Sequence, residues 1–163
     1  MRRLALVLLV TLPIFGQNVT LTDADKAKVV KLTNALEADP FAADARASRK
    51  WLADMLTNTN DPNVVICPVL FTDLLDDKEY PYKNELVAQP IFAEGAYLIE
   101  HKGVRDDDPD VFLAGVKSLL AVYEKIYAKD AKAKRAFLDV LVAARKKNEL
   151  AAWVNERLKG CQK

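Results

Sequence analysis

Aspartate followed by proline occurs three times in this chain, and each pair precedes a segment whose apolar residues recur with helical spacing. The pairs are Asp39-Pro40, Asp61-Pro62 and Asp108-Pro109. An aspartate at the N-cap accepts a hydrogen bond from a free amide of the first turn, and proline at the first helical position has a suitable φ angle and wastes no donor. The three pairs therefore predict three helix starts. The following segments do not align with one another, so the pairs do not mark a repeat.

Hydrophobic periodicity extends the helical prediction over most of the chain. A first helix should begin near Thr22, where Asp25 can complete a capping box, and end at Asp39. Further helices are predicted over 40–57, 64–75, 83–101, 109–129, 130–147 and 150–160. The last two predicted helices form one continuous helix if the helical geometry is not interrupted near Asn148. The sequence thus predicts an all-α, single-domain bundle of six or seven helices.

Two of these predicted helices contain an interior proline. Pro68 lies in the apolar segment 64–75, for which we prefer a kinked helix over a buried strand, because no second strand candidate exists to pair with it. Pro90 lies in the helix predicted over 83–101. A proline inside a helix removes one backbone hydrogen bond and bends the helix. We therefore expect two kinked core helices.

The two expected bends suggest a ligand site. Carbonyl groups freed near Val64 and Leu86 need partners, and a bound group can supply them on the concave side of each bend. Gln89 and Glu94 are the nearest polar residues on the fourth predicted helix. The sequence therefore places a candidate ligand site beside them.

The first sixteen residues have the layout of a secretory signal peptide. Arg2 and Arg3 precede an apolar run over 4–15, and Gly16 suits the cleavage point. The run is shorter than the roughly 20 residues that a helix needs to cross a bilayer, so we expect no membrane span. We expect cleavage after Gly16 and an exported domain over 17–163 that is secreted or periplasmic. The alternative is an uncleaved segment that acts as a weak anchor.

The chain has two cysteines, Cys67 and Cys161. Exported proteins form and keep disulfides, so two cysteines in such a chain predict one bond. Cys161 continues the helical line of Leu150, Val154 and Leu158, which places it on the core face of the last helix. We therefore expect a Cys67–Cys161 disulfide; the alternative is two free thiols.

Glu94, Tyr97 and His101 are spaced three and four residues apart, so they share one face of the fourth predicted helix. A carboxylate, a phenol and the chain's one histidine can serve acid–base chemistry or bind a metal weakly. The simpler interpretation has Glu94 solvated, Tyr97 in the core and His101 complementing the helix C-terminus. With Gln89, these residues are the four ligand-binding candidates.

A second candidate surface is the loop Tyr80-Pro81-Tyr82. Rigid aromatic side chains are enriched at protein interfaces, so Tyr80 and Tyr82 are predicted to bind a partner. The alternative is that both rings cover a gap between the third and fourth helices, because large aromatic side chains are usually buried.

Charge and motifs exclude several function classes. The chain has 24 basic and 23 acidic residues, and loss of Arg2 and Arg3 leaves 22 basic ones, so nothing favours a nucleic acid as partner. Phosphate-binding glycine loops, nucleophile elbows and paired-cysteine metal motifs are absent from the sequence. The acidic run 106–110 lacks the ligand spacing of a calcium loop. We expect no cofactor and no metal.

These observations favour an exported, non-catalytic helical module that binds a protein or a small ligand. One alternative is a hydrolase or metal-dependent enzyme that uses Glu94 and His101. Another is a self-associating structural component of the cell envelope, which the near-neutral charge permits.

Overall fold

The computed structural model describes residues 19–161, which form helices and connecting loops. The helices are α1 (Asp23–Ala38), α2 (Ala45–Thr57), α3 (Thr72–Asp76), α4 (Lys83–Glu100), α5 (Pro109–Lys129), α6 (Ala136–Lys146) and α7 (Leu150–Leu158). Two short 3₁₀ helices, Pro68–Phe71 and Ala131–Ala133, precede α3 and α6. No strand occurs among the described residues, so the all-α prediction is confirmed. The predicted signal peptide over 1–16 lies outside them.

Local capping sets the ends of several helices as the sequence predicts. Thr22 is the N-cap of α1 and forms a capping box with Asp25. The Asp108 side chain accepts a hydrogen bond from the amide of Asp110 at the start of α5, at 2.9 Å. Asn148 has a φ of 60°, a left-handed conformation that interrupts the helical geometry between α6 and α7. The last two helices are therefore separate.

The structure differs from the prediction at two of the three Asp-Pro pairs. Helix α2 begins at Ala45 rather than at Pro40, and Asp61-Pro62 lies in a loop. Residues 64–67 form no helix, and Pro68 starts a 3₁₀ helix instead of bending a longer one. The expected kinked helix over 64–75 is thus replaced by an extended segment and two short helices.

The physical reason is local. The residue before a proline is disfavoured in helical geometry, so Cys67 cannot easily continue a helix into Pro68. In the extended segment, Val65 and Ile66 are 37% and 54% exposed, which a buried central helix would not allow. Pro90, in contrast, lies inside α4, as the sequence predicts.

Helices α4 and α5 pack against each other at the centre of the fold. Helices α1 and α2 cover one side of α4, and α6 and α7 pack on α5. Two hydrophobic clusters result. One joins α1, α2 and the second half of α4 through Leu36, Leu52 and Phe92. The other lies around α5 and contains Leu86, Leu120 and Tyr123. Helix α4 therefore belongs to both clusters.

The predicted disulfide is confirmed. The Sγ atoms of Cys67 and Cys161 lie 2.02 Å apart, so the bond ties the extended segment before Pro68 to the residues after α7. Within the described part of the chain, no helix combines the length and hydrophobicity needed to cross a membrane.

Candidate functional site

Gln89, a predicted ligand-binding residue, lies in the core with 1% of its surface exposed. Its Nε2 donates to Ser118 Oγ at 2.9 Å and to the carbonyl oxygen of Thr33 at 3.3 Å. Ser118 Oγ in turn donates to Glu37 Oε2 at 2.6 Å. These bonds join α1, α4 and α5. Gln89 therefore holds three helices together and has no exposed surface to offer a ligand.

Glu94 is also in the core, 1% exposed, where α4 crosses α5. The crossing is close: a Cβ atom added to Gly115 would lie 2.6 Å from Glu94 Oε1. Glu94 Oε2 is buried without a hydrogen-bond partner. Burial raises the pKa of Glu94 to about 8, because the apolar surroundings disfavour the charged form. At neutral pH the side chain is therefore mostly a neutral acid, which corrects the interpretation of Glu94 as solvated.

Tyr97 and His101 lie further along α4, towards the surface. Tyr97 is half-buried, and His101 is exposed at the C-cap of the helix. The two rings stack with centroids 3.9 Å apart and planes 15° apart, and His101 Nδ1 lies 2.9 Å from the carbonyl oxygen of Tyr97. His101 thus complements the helix end, as the simpler interpretation predicts. Glu94 is in the core, so these three residues do not share an open site.

The acidic run before α5 is already engaged by other groups. Asp107 accepts a hydrogen bond from Arg105 Nε at 2.8 Å, and this partner lowers the pKa of Asp107. Asp108 caps α5, and Asp106 accepts a hydrogen bond from Asn63 Nδ2. Across residues 19–161, no three acidic, histidine or cysteine side chains are placed to share a metal ion.

Tyr80 lies in the core and not at the surface. Tyr80 is 3% exposed, its hydroxyl donates to the carbonyl oxygen of Ala133 at 3.0 Å, and the Arg135 guanidinium lies 4.2 Å from its ring centroid. Tyr82 is half-buried and donates to Asp130 Oδ2 at 2.5 Å. The prediction of a partner-binding pair is therefore corrected for Tyr80, because its ring fills the core and its hydroxyl is satisfied there.

We expect Tyr80→Phe to lower the free energy of unfolding by about 1 to 2 kcal/mol. The change keeps the ring but leaves the buried carbonyl of Ala133 without its donor. Urea unfolding monitored by circular dichroism measures the effect. Tyr127→Phe, at a tyrosine that is 38% exposed, is the matched control and should change stability by less than about 0.5 kcal/mol. Equal effects of the two substitutions would contradict a structural role for the Tyr80 hydroxyl.

The candidate functional site is a cleft at the C-terminal end of α4, which sequence reasoning missed. Its volume is about 410 Å³. The cleft is lined by Lys26, Asp61, Pro62, Asn63, Leu98, Ile99, Lys102, Gly103, Val104 and Asp106. Gly103 has a φ of 88° as the chain leaves α4, and a Cβ atom added there would meet nothing within 4 Å. The chain therefore turns sharply at α4 without filling the space beside it.

The cleft combines apolar side chains with balanced charges. Lys26 Nζ pairs with Asp61 Oδ2 at 2.6 Å, and the Asp61 side chain is 84% exposed. Asp106 accepts a hydrogen bond from Asn63 Nδ2. Lys102 is exposed and forms no ion pair within residues 19–161. The last turn of α4 contributes Leu98 and Ile99, whose carbonyl groups lie at the negative end of the helix dipole.

None of the four predicted ligand-binding residues lines this cleft. His101 precedes Lys102, yet its ring turns back onto Tyr97. Two features singled out in the sequence do contribute to the cleft: the acidic run 106–110 supplies Asp106, and the pair Asp61-Pro62 also lines it. The remaining residues come from α1, the loop after α2, the last turn of α4 and the loop that follows α4.

Comparison with protein-family models, curated proteins and solved structures finds no match to this chain.

Proposed function

We propose that this chain is an exported, non-catalytic helical module that binds a small dipolar molecule in the cleft at the end of α4. The observation that carries the proposal is the cleft itself. Its volume of about 410 Å³ falls in the range typical of small-molecule sites, roughly 300 to 1,000 Å³. Export is supported by the signal-like sequence over 1–16 and by the disulfide, which oxidising compartments maintain.

The charges of the cleft favour a ligand with both an amine and a carboxylate. Two lysines and two aspartates line it, so their formal charges cancel. A ligand ammonium group is attracted by Asp61 and by the C-terminal end of α4. A ligand carboxylate can pair with Lys102, and an apolar side chain can lie on Leu98 and Ile99. An amino acid or dipeptide with an apolar side chain meets all three conditions.

The enzyme alternative requires Glu94 and His101 to meet in one pocket. Glu94 is 1% exposed in the core, and His101 is exposed at the helix end. No observation on the described residues favours that alternative over ligand binding. Self-association as an envelope component remains a separate proposal, and gel filtration of the protein tests it.

Calorimetric titration with leucine and with the dipeptide Leu-Leu tests the proposed function. Two matched probes each remove one charge: isocaproate is leucine without its amine, and isoamylamine is leucine without its carboxylate. We expect saturable binding of leucine or Leu-Leu and much weaker binding of both single-charge probes. Equal binding of isocaproate would overturn the dipolar assignment, and no binding of any probe would count against the cleft as an amino-acid site.

Lys102→Glu tests the place of binding. The substitution reverses the charge that faces the ligand carboxylate, so affinity should fall about tenfold or more. Lys117→Glu is the matched control, because Lys117 is an exposed lysine on α5 that does not line the cleft. Equal affinity of the two variants would show that binding takes place elsewhere.

A further inference from the structure

A second cavity lies beside the disulfide, away from the cleft at the end of α4. Its volume is about 260 Å³. It is lined by Val65, Ile66, Cys67, Asp107, Phe112, Leu158 and Cys161. Both cysteines of the disulfide therefore border this cavity.

The two cysteines differ in exposure. Cys67 is 1% exposed and belongs to the hydrophobic cluster around α5. Cys161 follows the end of α7 and is exposed. Thiol–disulfide exchange requires a thiolate to reach one sulfur of the bond, so access decides which cysteine reacts first. In this fold the accessible residue is Cys161.

We propose that the disulfide is a thiol-exchange site of the folded protein, at which an external small thiol attacks Cys161. The thiolate forms a bond to Cys161 Sγ, the Cys67–Cys161 bond breaks, and its electron pair goes to Cys67 Sγ, which takes up a proton. A second thiol then attacks the mixed disulfide and releases Cys161 as a thiol. In total, two small thiols are oxidised to their disulfide and the protein disulfide is reduced.

The extended segment before Pro68 explains why the cavity stays open. Val65 and Ile66 are 37% and 54% exposed, so they form an apolar rim instead of closing over the sulfurs. Phe112 and Leu158, which are buried, also line the cavity. Exchange therefore needs no opening of the hydrophobic cluster around α5.

Incubation of the native protein with reduced glutathione tests the proposal. After acid quenching, denaturation and alkylation, peptide mass spectrometry should find glutathione on Cys161 and the alkyl label on Cys67. The exchange rate should stay constant in urea concentrations below the unfolding transition. A rate that rises with urea would show that exchange needs unfolding, and glutathione found mainly on Cys67 would reverse the assignment. Either result would overturn the proposal.

A matched pair of variants tests the role of the cavity. Ile66→Glu places a carboxylate beside the sulfurs, and repulsion of the thiolate should slow exchange about threefold or more. Val140→Glu makes the same kind of change at a 65% exposed position on α6 that does not line the cavity, so the rate should not change. Thermal denaturation of both variants checks that stability is unaltered. Equal exchange rates in the two variants would show that the cavity does not guide the thiol.

Discussion

Glu94→Gln should abolish much of the pH dependence of stability between about pH 5 and pH 8. Unfolded, the Glu94 carboxyl loses its proton near its ordinary pKa of 4.5, whereas burial in the fold raises that pKa to about 8. Between these values the folded protein holds a proton that the unfolded chain has released. The free energy of unfolding therefore falls as the pH rises, by about 1.4 kcal/mol for each pH unit.

The expected result is a difference in slope between wild type and variant. Across this window the free energy of unfolding of wild type should fall by several kcal/mol relative to that of Glu94→Gln. Below about pH 4 the two curves of unfolding free energy against pH should run parallel. Comparing slopes cancels the constant cost of burying a glutamine amide. Urea unfolding at a series of pH values measures both profiles. Glu100→Gln, at an exposed position on α4, should keep the wild-type slope. Parallel profiles of wild type and Glu94→Gln throughout would show that the carboxyl is solvated.

Removing the disulfide should lower stability by about 2 to 5 kcal/mol. The bond joins residues 94 positions apart, and closing so long a loop removes much conformational entropy from the unfolded chain. The test protein carries Cys67→Ala and Cys161→Ala together, because a single substitution leaves a reactive thiol. Urea unfolding compares it with wild type. Helix α7 should lose most amide-exchange protection, since it has nine residues and ends next to the bond.

Two controls make the disulfide prediction specific. Thiol labelling of denatured, unreduced wild type should find no free sulfhydryl, and two labelled cysteines would contradict the bond. Wild type unfolded with a reductant present should approach the stability of the double variant. The stability of the double variant itself should not change when the reductant is added.

Sequence reasoning succeeded where a local interaction determines the structure. The capping box of Thr22 and Asp25 and the Asp108 cap each involve residues within three positions of one another. The pairing of the two cysteines is also correct, but the predicted core-face register of Cys161 is wrong, because Cys161 lies after the end of α7 and is exposed. The two caps, in contrast, are contacts between residues close in sequence. Local contacts of this kind can be read from a short window of sequence.

The core polar residues could not be placed in this way. Glu94 and Gln89 are buried because α4 meets α5 at Gly115 and Ser118, and that register depends on packing between distant segments. Periodicity alone therefore left Glu94 on a solvated face. Tyr80 is similar, since its hydroxyl partner Ala133 lies 53 positions away. The cleft is the extreme case, because its lining comes from three separate parts of the chain.

The disulfide also determines how the chain responds to force. Residues 67–161 form a covalently closed loop, while α1 and α2 precede it. Tension applied between residue 19 and residue 161 can straighten only the segment before Cys67. The closed loop keeps about 330 Å of contour length from extending under this tension, at roughly 3.5 Å for each of its 94 residue steps. As long as the bond is intact, pulling strips α1 and α2 from α4, and α5 to α7 carry none of the extension.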